Sequence, residues 1–392
     1  LQLSNISVVL PFICSAEGGS LVAAGLLFPS YSIGTLFGNA MAPIVVAYSR
    51  HRKHLLMASS ALSMAMIFAV DASVSIGNGA VAAVFLVTSV VLGAASGVSK
   101  VTYSDVITTG LSPVRRSNLV LAQGALGATV AVLVTSSLAV VIRDRDAAAR
   151  HIDMLWLGAS AMVVAGIAAG CVGVLPPTSP STRLGVFTAL RDGVAALGDH
   201  RWFRGYLITQ MIFVPISLGT TFYSIHAAEQ HGRNGGSLHI LVVFTSVGLI
   251  VGSLFWKIVF RIYHERGMLV ISALLSSSAA VMCCLAQVYD AWSNVLIHGT
   301  VILLTTIANQ AIYAAAMGWI ARYIHGSDRM VLIAFSTMAV GCTSILLGAL
   351  LGGIAEQTAA SWPVAIILGL TLMAALAASV FVPKSTVSSP DL

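Results

Sequence analysis

Residues 32–39 read SIGTLFGN and residues 246–253 read SVGLIVGS, so Gly34 and Gly38 recur as Gly248 and Gly252, 214 positions later. The echo carries on downstream. HRKHLLMASSAL (51–62) returns as HERGMLVISALL (264–275), and RSNLVLAQ (116–123) returns as RMVLIAFS (329–336), both at an offset of 213. Three segments in one register, drifting by a single residue, mark an internal duplication. Such a repeat settles architecture before any single motif is read.

Composition identifies the solvent of the duplicated unit. Hydrophobic residues are 57% of the chain and charged residues 9%, with a mean hydropathy of +0.93, whereas a soluble domain carries roughly 25% charge. In hydrocarbon every backbone N–H and C=O must be satisfied internally, which leaves helices or closed barrels. Apolar runs of about 20 residues without period-2 alternation select helices. The runs predict spans near 1–15, 21–48, 54–74, 80–106, 117–142 and 154–175, then near 204–227, 238–262, 267–288, 293–322, 330–354 and 362–382.

The expected fold is an all-α membrane protein with twelve transmembrane helices in two pseudo-symmetric six-helix bundles. Residues 1–175 form the first bundle, 176–203 a cytoplasmic linker, and 204–392 the second bundle with a short tail. Parallel repeats of this kind occur in duplicated transporters. The linker opens on turn-forming prolines in PPTSPSTRLG (176–185) and is expected to carry a short amphipathic surface helix. Leu1 is not Met and residues 1–16 hold no Lys or Arg, so the expectation is a start lying upstream and no signal peptide.

Basic residues orient the map. Fifteen of the twenty Lys and Arg residues fall on one side of it, among them Arg52, Lys53, Arg115, Arg116, Arg201, Arg204, Lys257, Arg261 and Arg266. The positive-inside rule makes that side cytoplasmic and predicts a multi-pass inner-membrane protein with both termini in the cytoplasm. It also accounts for the net charge of +6, so no nucleic-acid partner is needed. Trp156, Trp292 and Trp362 fall at predicted outer ends and Trp202, Trp256 and Trp319 at inner ends, where indole rings favour the headgroup level. The five cysteines lie in or beside apolar spans without CxxC spacing and read as small packing residues.

Several stretches share a family pattern: AYSRHRK (47–53) and FRIYHERG (260–267) as basic loops, TSVVLGAASG (88–97), AQGALGATV (122–130), LPFICSAEGGSLVAAGLLF (10–28) and VPISLGTTFYSIHAAEQHG (214–232). With the two six-helix halves, they resemble the major facilitator superfamily over nearly the whole length, nearest to its bacterial drug and metabolite exporters. The match departs from the family at defined places. The first basic loop has Tyr48 near the position of the family's acid, helix 4 has Ser89 where many members carry arginine, and helix 5 lacks a central Gly-Pro. Arg52 and Lys53 are left to cap helix ends or pair with lipid phosphate, or simply to satisfy the positive-inside bias.

The resemblance implies a central cavity lined by helices 1, 4, 7 and 10, onto which Asn5, Lys100, Gln210 and Asn309 would converge. Pro11 and Pro215 occupy equivalent places and would kink helices beside that cavity, as gating flexures or as packing kinks. Lys100 is the intramembrane cation, and such a group costs about 2.5–3.5 kcal/mol on insertion scales. Tyr103 shares its face at i+3. Asp105 at i+5 does not, so Lys100 either meets an interhelical partner or an anionic solute, or snorkels to the interface. Gln123, Gln310 and Tyr313 complete the candidate substrate-binding set, and Lys100, Asp105, Arg52, Lys53, Pro11 and Pro215 the coupling and gating set.

His298 in outer helix 10 and the outer-loop set His226, Glu229, His231 and His239 show no ligand spacing; the histidines read as solvated, with no metal expected. Glu17 and Asp71 read as interfacial. Without a deeply buried acid, proton antiport is weakened. No P-loop, HExxH, GxSxG or GxGxxG is present, so neither an enzyme nor a cofactor is expected.

The expected function is secondary transport of a small amphipathic or anionic solute by alternating access, in the export direction, with proton coupling open. The alternatives are an importer of a nutrient or metal chelate, and a transport-inactive binding or signalling protein on the same fold. The expected partners are a small-molecule substrate, the lipid bilayer and protons, with the protein a monomer.

Overall fold

A computed structural model of the chain describes residues 6–48, 52–74, 81–110, 123, 126–137, 141, 145–172, 186–232, 236–289, 292–323 and 328–381. It is helical throughout these residues. The first half holds α1 (Val9–Ala16), α2 (Leu21–Tyr48), α3 (Lys53–Val74), α4 (Val81–Gly110), α5 (Leu126–Ser137) and α6 (Ala147–Gly170). The amphipathic α7 (Val186–Asp199) follows and packs on α12 and α8, where the linker helix was expected. The second half holds α8 (Arg201–Ile212), α9 (Val214–His231), α10 (Ser237–Val288), α11 (Val295–Tyr323), α12 (Asp328–Gln357) and α13 (Ser361–Phe381).

Nine helical stretches among the described residues are long and apolar enough to cross a membrane. The 52-residue α10 accounts for two of the expected spans, and the shorter α1 and α5 lie in the first and fifth. All twelve expected spans therefore carry helix. Within α10 the chain turns at His264, whose φ of 54° and ψ of −160° interrupt the helix. A histidine there occupies backbone space that is nearly exclusive to glycine and costs about 1–3 kcal/mol. Arg266 donates to the carbonyl of Ser379, which ties this corner to α13.

The repeated glycines are helix contacts. A Cβ on Gly34 would fall 1.9 Å from the carbonyl oxygen of Val90, and one on Gly38 2.1 Å from that of Ala94. From the other side, a Cβ on Gly93 would fall 2.1 Å from Tyr31 O and one on Gly97 2.5 Å from Thr35 O. Backbone thus touches backbone along α2 and α4, the small-xxx-small packing that replaces a hydrophobic driving force in lipid. The copy is looser. Gly248 clears the Leu303 carbonyl of α11 by 3.0 Å, and Gly252 meets only the side-chain end of Gln310.

Two apolar cores are built at different levels along the helices. One joins α1–α6 to α9–α13 and so spans both halves. The other, built from Phe203, Tyr206, Trp256, Trp319 and Phe335 with their neighbours, lies wholly within the second half. The first core marks the far end, where the halves meet; the second lies toward the basic end, where Arg52, Lys257, Arg261 and Arg266 stand. Trp256 and Trp319 correct the sequence expectation, for both are buried in this second core rather than set at an interface. Trp256 Nε1 donates to Ile307 O at 2.6 Å, and Trp319 meets Tyr206 edge-on at 5.6 Å.

Candidate functional site

A cavity of about 130 Å³ lies between the halves, lined by Phe28 and Ser32 of α2, Gln210, Phe213, Val214 and Ser217 at the α8–α9 junction, Ile312 of α11, and Thr337, Val340, Gly341 and Ser344 of α12. Among the described residues, its lining carries no charge. Two of the contributing stripes, 210/213/214/217 across the α8–α9 junction and 337/340/341/344 on α12, run i, i+3, i+4, i+7, the spacing of one helical face. That periodicity was readable in the sequence. What the sequence did not show is that these two faces oppose each other.

Local chemistry positions Gln210. Pro215 has no N–H to give to the carbonyl of Met211, so the helix loosens just ahead of it. Helix α8 ends at Ile212, Phe213 is an intervening turn residue (φ −86°, ψ −6°), and α9 restarts at Val214. The break sets Gln210 on the last turn of α8 against the cavity. Its Nε2 is shielded from solvent and has no hydrogen-bond partner. An unsatisfied buried amide costs about 1–3 kcal/mol, which a ligand acceptor would recover.

The other candidates do not converge there. Lys100 is exposed with its Nζ 5.8 Å from the centroid of the Tyr31 ring, a cation–π placement, while the Tyr31 hydroxyl donates to Ser96 at 2.8 Å. Tyr103 hydrogen-bonds Gln123. Asn309 donates to Thr220 at 3.0 Å, and Gln310 donates to the Gly248 and Leu249 carbonyls at 3.2 and 3.3 Å, a bond that staples α11 to α10. Tyr313 is exposed. Asn5 and the Asp105 side chain lie outside the described residues. Pro11 is buried within α1. Arg52 is exposed, but Lys53 is 1% exposed and so does not reach out to a lipid phosphate.

Two further expectations need correction. Asp71 is 0% exposed and accepts a hydrogen bond from Thr88 at 2.7 Å, so the bundle does contain a buried acid. The residues 71 and 88 sit on different helices, and no local spacing announces the pair. His226, His231, His239 and His298 are buried rather than solvated. Glu17 is exposed just past the end of α1, with its Oε1 3.0 Å from Nδ1 of the buried His151.

At the far end the halves are latched. Ser224 of α9 donates to Val8 O at 2.6 Å in a buried contact. Glu356 of α12 accepts from Ser20 Oγ at 2.5 Å and from the Val22 amide at 3.1 Å, so a carboxylate from one half caps the N-terminus of α2 in the other. A Cβ on Gly348 would lie 3.1 Å from Gly25 O, and one on Gly352 2.8 Å from Val22 Cα.

Comparison with known proteins places this geometry. No family model matches the chain. The uncharacterized protein Rv2209 of Mycobacterium tuberculosis is 40% identical over 379 residues, covering 96% of this chain and 73% of that protein. Among solved structures, a variant of the nucleoside transporter NupG superposes with a TM-score of 0.72 at 12% identity, covering 98% of this chain and 99% of its own. A D-xylose-proton symporter gives 0.68 at 12% identity, over 98% and 96%. At such identities the likeness concerns fold, and the fold is that of the major facilitator superfamily.

Proposed function

This chain belongs to one family with the mycobacterial protein Rv2209 and has the major facilitator fold; from that premise we propose that it is a secondary transporter, not an enzyme. It moves a small, uncharged, amphipathic solute through the cavity between its halves by alternating access. Gln210 carries the reading: a buried amide donor without a partner faces a cavity whose other polar groups, Ser32, Ser217, Thr337 and Ser344, are neutral hydroxyls. Such a site fits a solute with a carbonyl or hydroxyl oxygen at one end and an apolar body against Phe28, Phe213 and Ile312. An anionic solute loses its support, because Lys100 stands over Tyr31 instead of in the cavity lining.

Nucleosides and D-xylose, the solutes in the names of the two solved structures, are likewise uncharged and rich in hydroxyls. The symporter likeness favours uptake coupled to protons over the export expected from the sequence. Asp71 is the group we assign to that proton, since a carboxyl buried inside a spanning bundle is by default a functional residue. We retain residues 1–175 and 204–392 as the moving halves, 176–203 as the linker, a cytoplasmic-membrane location with both termini inside, and a monomer.

A thermal-stability screen of the purified protein against uncharged hydroxylated solutes tests the site. A matching solute should raise the unfolding temperature of the wild type. Gln210→Leu should weaken its binding by about 10- to 100-fold, the equivalent of one buried hydrogen bond. Equal stabilisation of both proteins would move the site elsewhere.

A further inference from the structure

Three side chains from three spans meet at the far end of the second half, apart from the solute cavity. His226 stands on α9, Cys283 on the second limb of α10, and His298 on α11. His226 Nδ1 lies 3.0 Å from His298 Nε2 and 3.4 Å from Cys283 Sγ. The three atoms lie within 4.8 Å of one another, and all three residues are buried.

Neighbouring groups decide where the ring protons go. His298 Nδ1 is 3.2 Å from the backbone carbonyl of Asn294. A carbonyl only accepts, so Nδ1 carries the hydrogen and Nε2 presents a lone pair. His226 Nε2 is 3.0 Å from Gln287 Oε1, which also accepts from Gln230 Nε2 at 3.0 Å. Gln230 Oε1 in turn accepts from Ser293 at 3.1 Å. Gln230 Nε2 also stands 3.4 Å from His226 Nε2, but the shorter contact is the one to the Gln287 oxygen, and with that oxygen as partner His226 donates through Nε2 and turns the lone pair of Nδ1 toward His298. In that tautomer two imidazole lone pairs face each other at hydrogen-bond distance beside a thiol, and the thiol proton is the single hydrogen among the three atoms. Histidines whose outward nitrogens are fixed by a carbonyl or amide oxygen in this way are set up to ligate through the inward ones.

We propose that His226 Nδ1, His298 Nε2 and Cys283 Sγ bind a soft or borderline closed-shell cation, Zn²⁺ or Cu⁺, which clamps the far ends of α9, α10 and α11. Thiolate with imidazole selects these ions, whereas Mg²⁺ and Ca²⁺ take oxygen ligands. On binding, the Cys283 S–H bond breaks as the metal–sulfur bond forms, and the proton leaves to water. No electron is transferred. Gln287 is exposed, so its amide and those of its neighbours form a polar cover one residue thick between the site and solvent. His231 stands edge-on to His298 with ring centroids 5.0 Å apart, beside the three-residue cluster.

The test is metal binding by the purified chain, with Co²⁺ as spectroscopic stand-in and with Zn²⁺ and Cu⁺ titrated against competing chelators. One cation per chain is expected, with a thiolate-to-cobalt charge-transfer band that vanishes in Cys283→Ser and survives in Cys284→Ser. His226→Ala and His298→Ala should weaken binding at least about 100-fold, and Gln287→Leu by about 10- to 100-fold. Where a ligand variant does not fold, X-ray absorption on the wild-type zinc form decides, with one sulfur and at least two nitrogens expected in the first shell. A wild type that binds no stoichiometric metal, a band unchanged by Cys283→Ser, or a first shell without sulfur overturns the proposal. A proton shared between the two rings in metal-free and metal-treated protein alike does so as well.

Discussion

Gly93→Leu should leave little folded protein, read as loss of the monodisperse peak in detergent gel filtration. A Cβ at this position falls 2.1 Å from Tyr31 O and 2.8 Å from Thr35 N, so the obstacle is backbone and no rotamer change relieves it. Overpacking an ordinary core costs about 1–3 kcal/mol; separating two helices over a full turn costs more, against about 5–15 kcal/mol of total stability. Gly34→Leu should behave the same way, from the opposite face of the same contact. Gly248→Ala should be mild, since 3.0 Å to Leu303 O asks for a shift of a few tenths of an ångström. Gly353→Ala, with nothing within 4 Å, should be neutral. Equal tolerance at Gly93 and Gly353 would mean that α2 and α4 are not in backbone contact.

The second large effect is conformational. Gly352→Leu places a side chain where even its Cβ would be 2.8 Å from Val22 Cα, on the seam between α12 and α2. The wedge acts at the latched end, where Glu356 caps α2 and Ser224 holds Val8 O. It should drive the halves apart there and favour the state open at the far end. A cysteine at the buried Ser224 position reports this. Its maleimide labelling should rise at least about tenfold in the Gly352→Leu background, a shift of about 1.4 kcal/mol between the two states. An unchanged labelling rate would show that the seam does not control access.

The repeat and the apolar runs carried the twelve spans because hydrophobic length is a local property. The same glycine spacing in both halves marked the duplication, but not the helix contacts it makes, nor that only the first copy brings backbone against backbone. Breaks were partly legible. Pro215 announces the one at Phe213, while the turn at His264 has no glycine or proline at the turning residue itself. The site was less accessible to sequence because it is made between helices: Gln210 was visible as a lone polar residue, but its opposition to the Thr337–Ser344 stripe depends on how the halves dock. Asp71 read as interfacial from its place near a helix end, and lateral packing by α4 buries it. His226, Cys283 and His298 belong to three helices and share no spacing at all.

Reconstituted flux tests the central claim most directly. With the solute found by stability screening, wild-type protein in proteoliposomes should move labelled solute across the membrane, faster under an inward proton gradient, and unlabelled solute inside should exchange with it. Asp71→Asn should retain exchange and lose the response to the gradient. Solute that binds the purified protein yet never crosses the bilayer would contradict the account and leave a binding protein on a transporter fold.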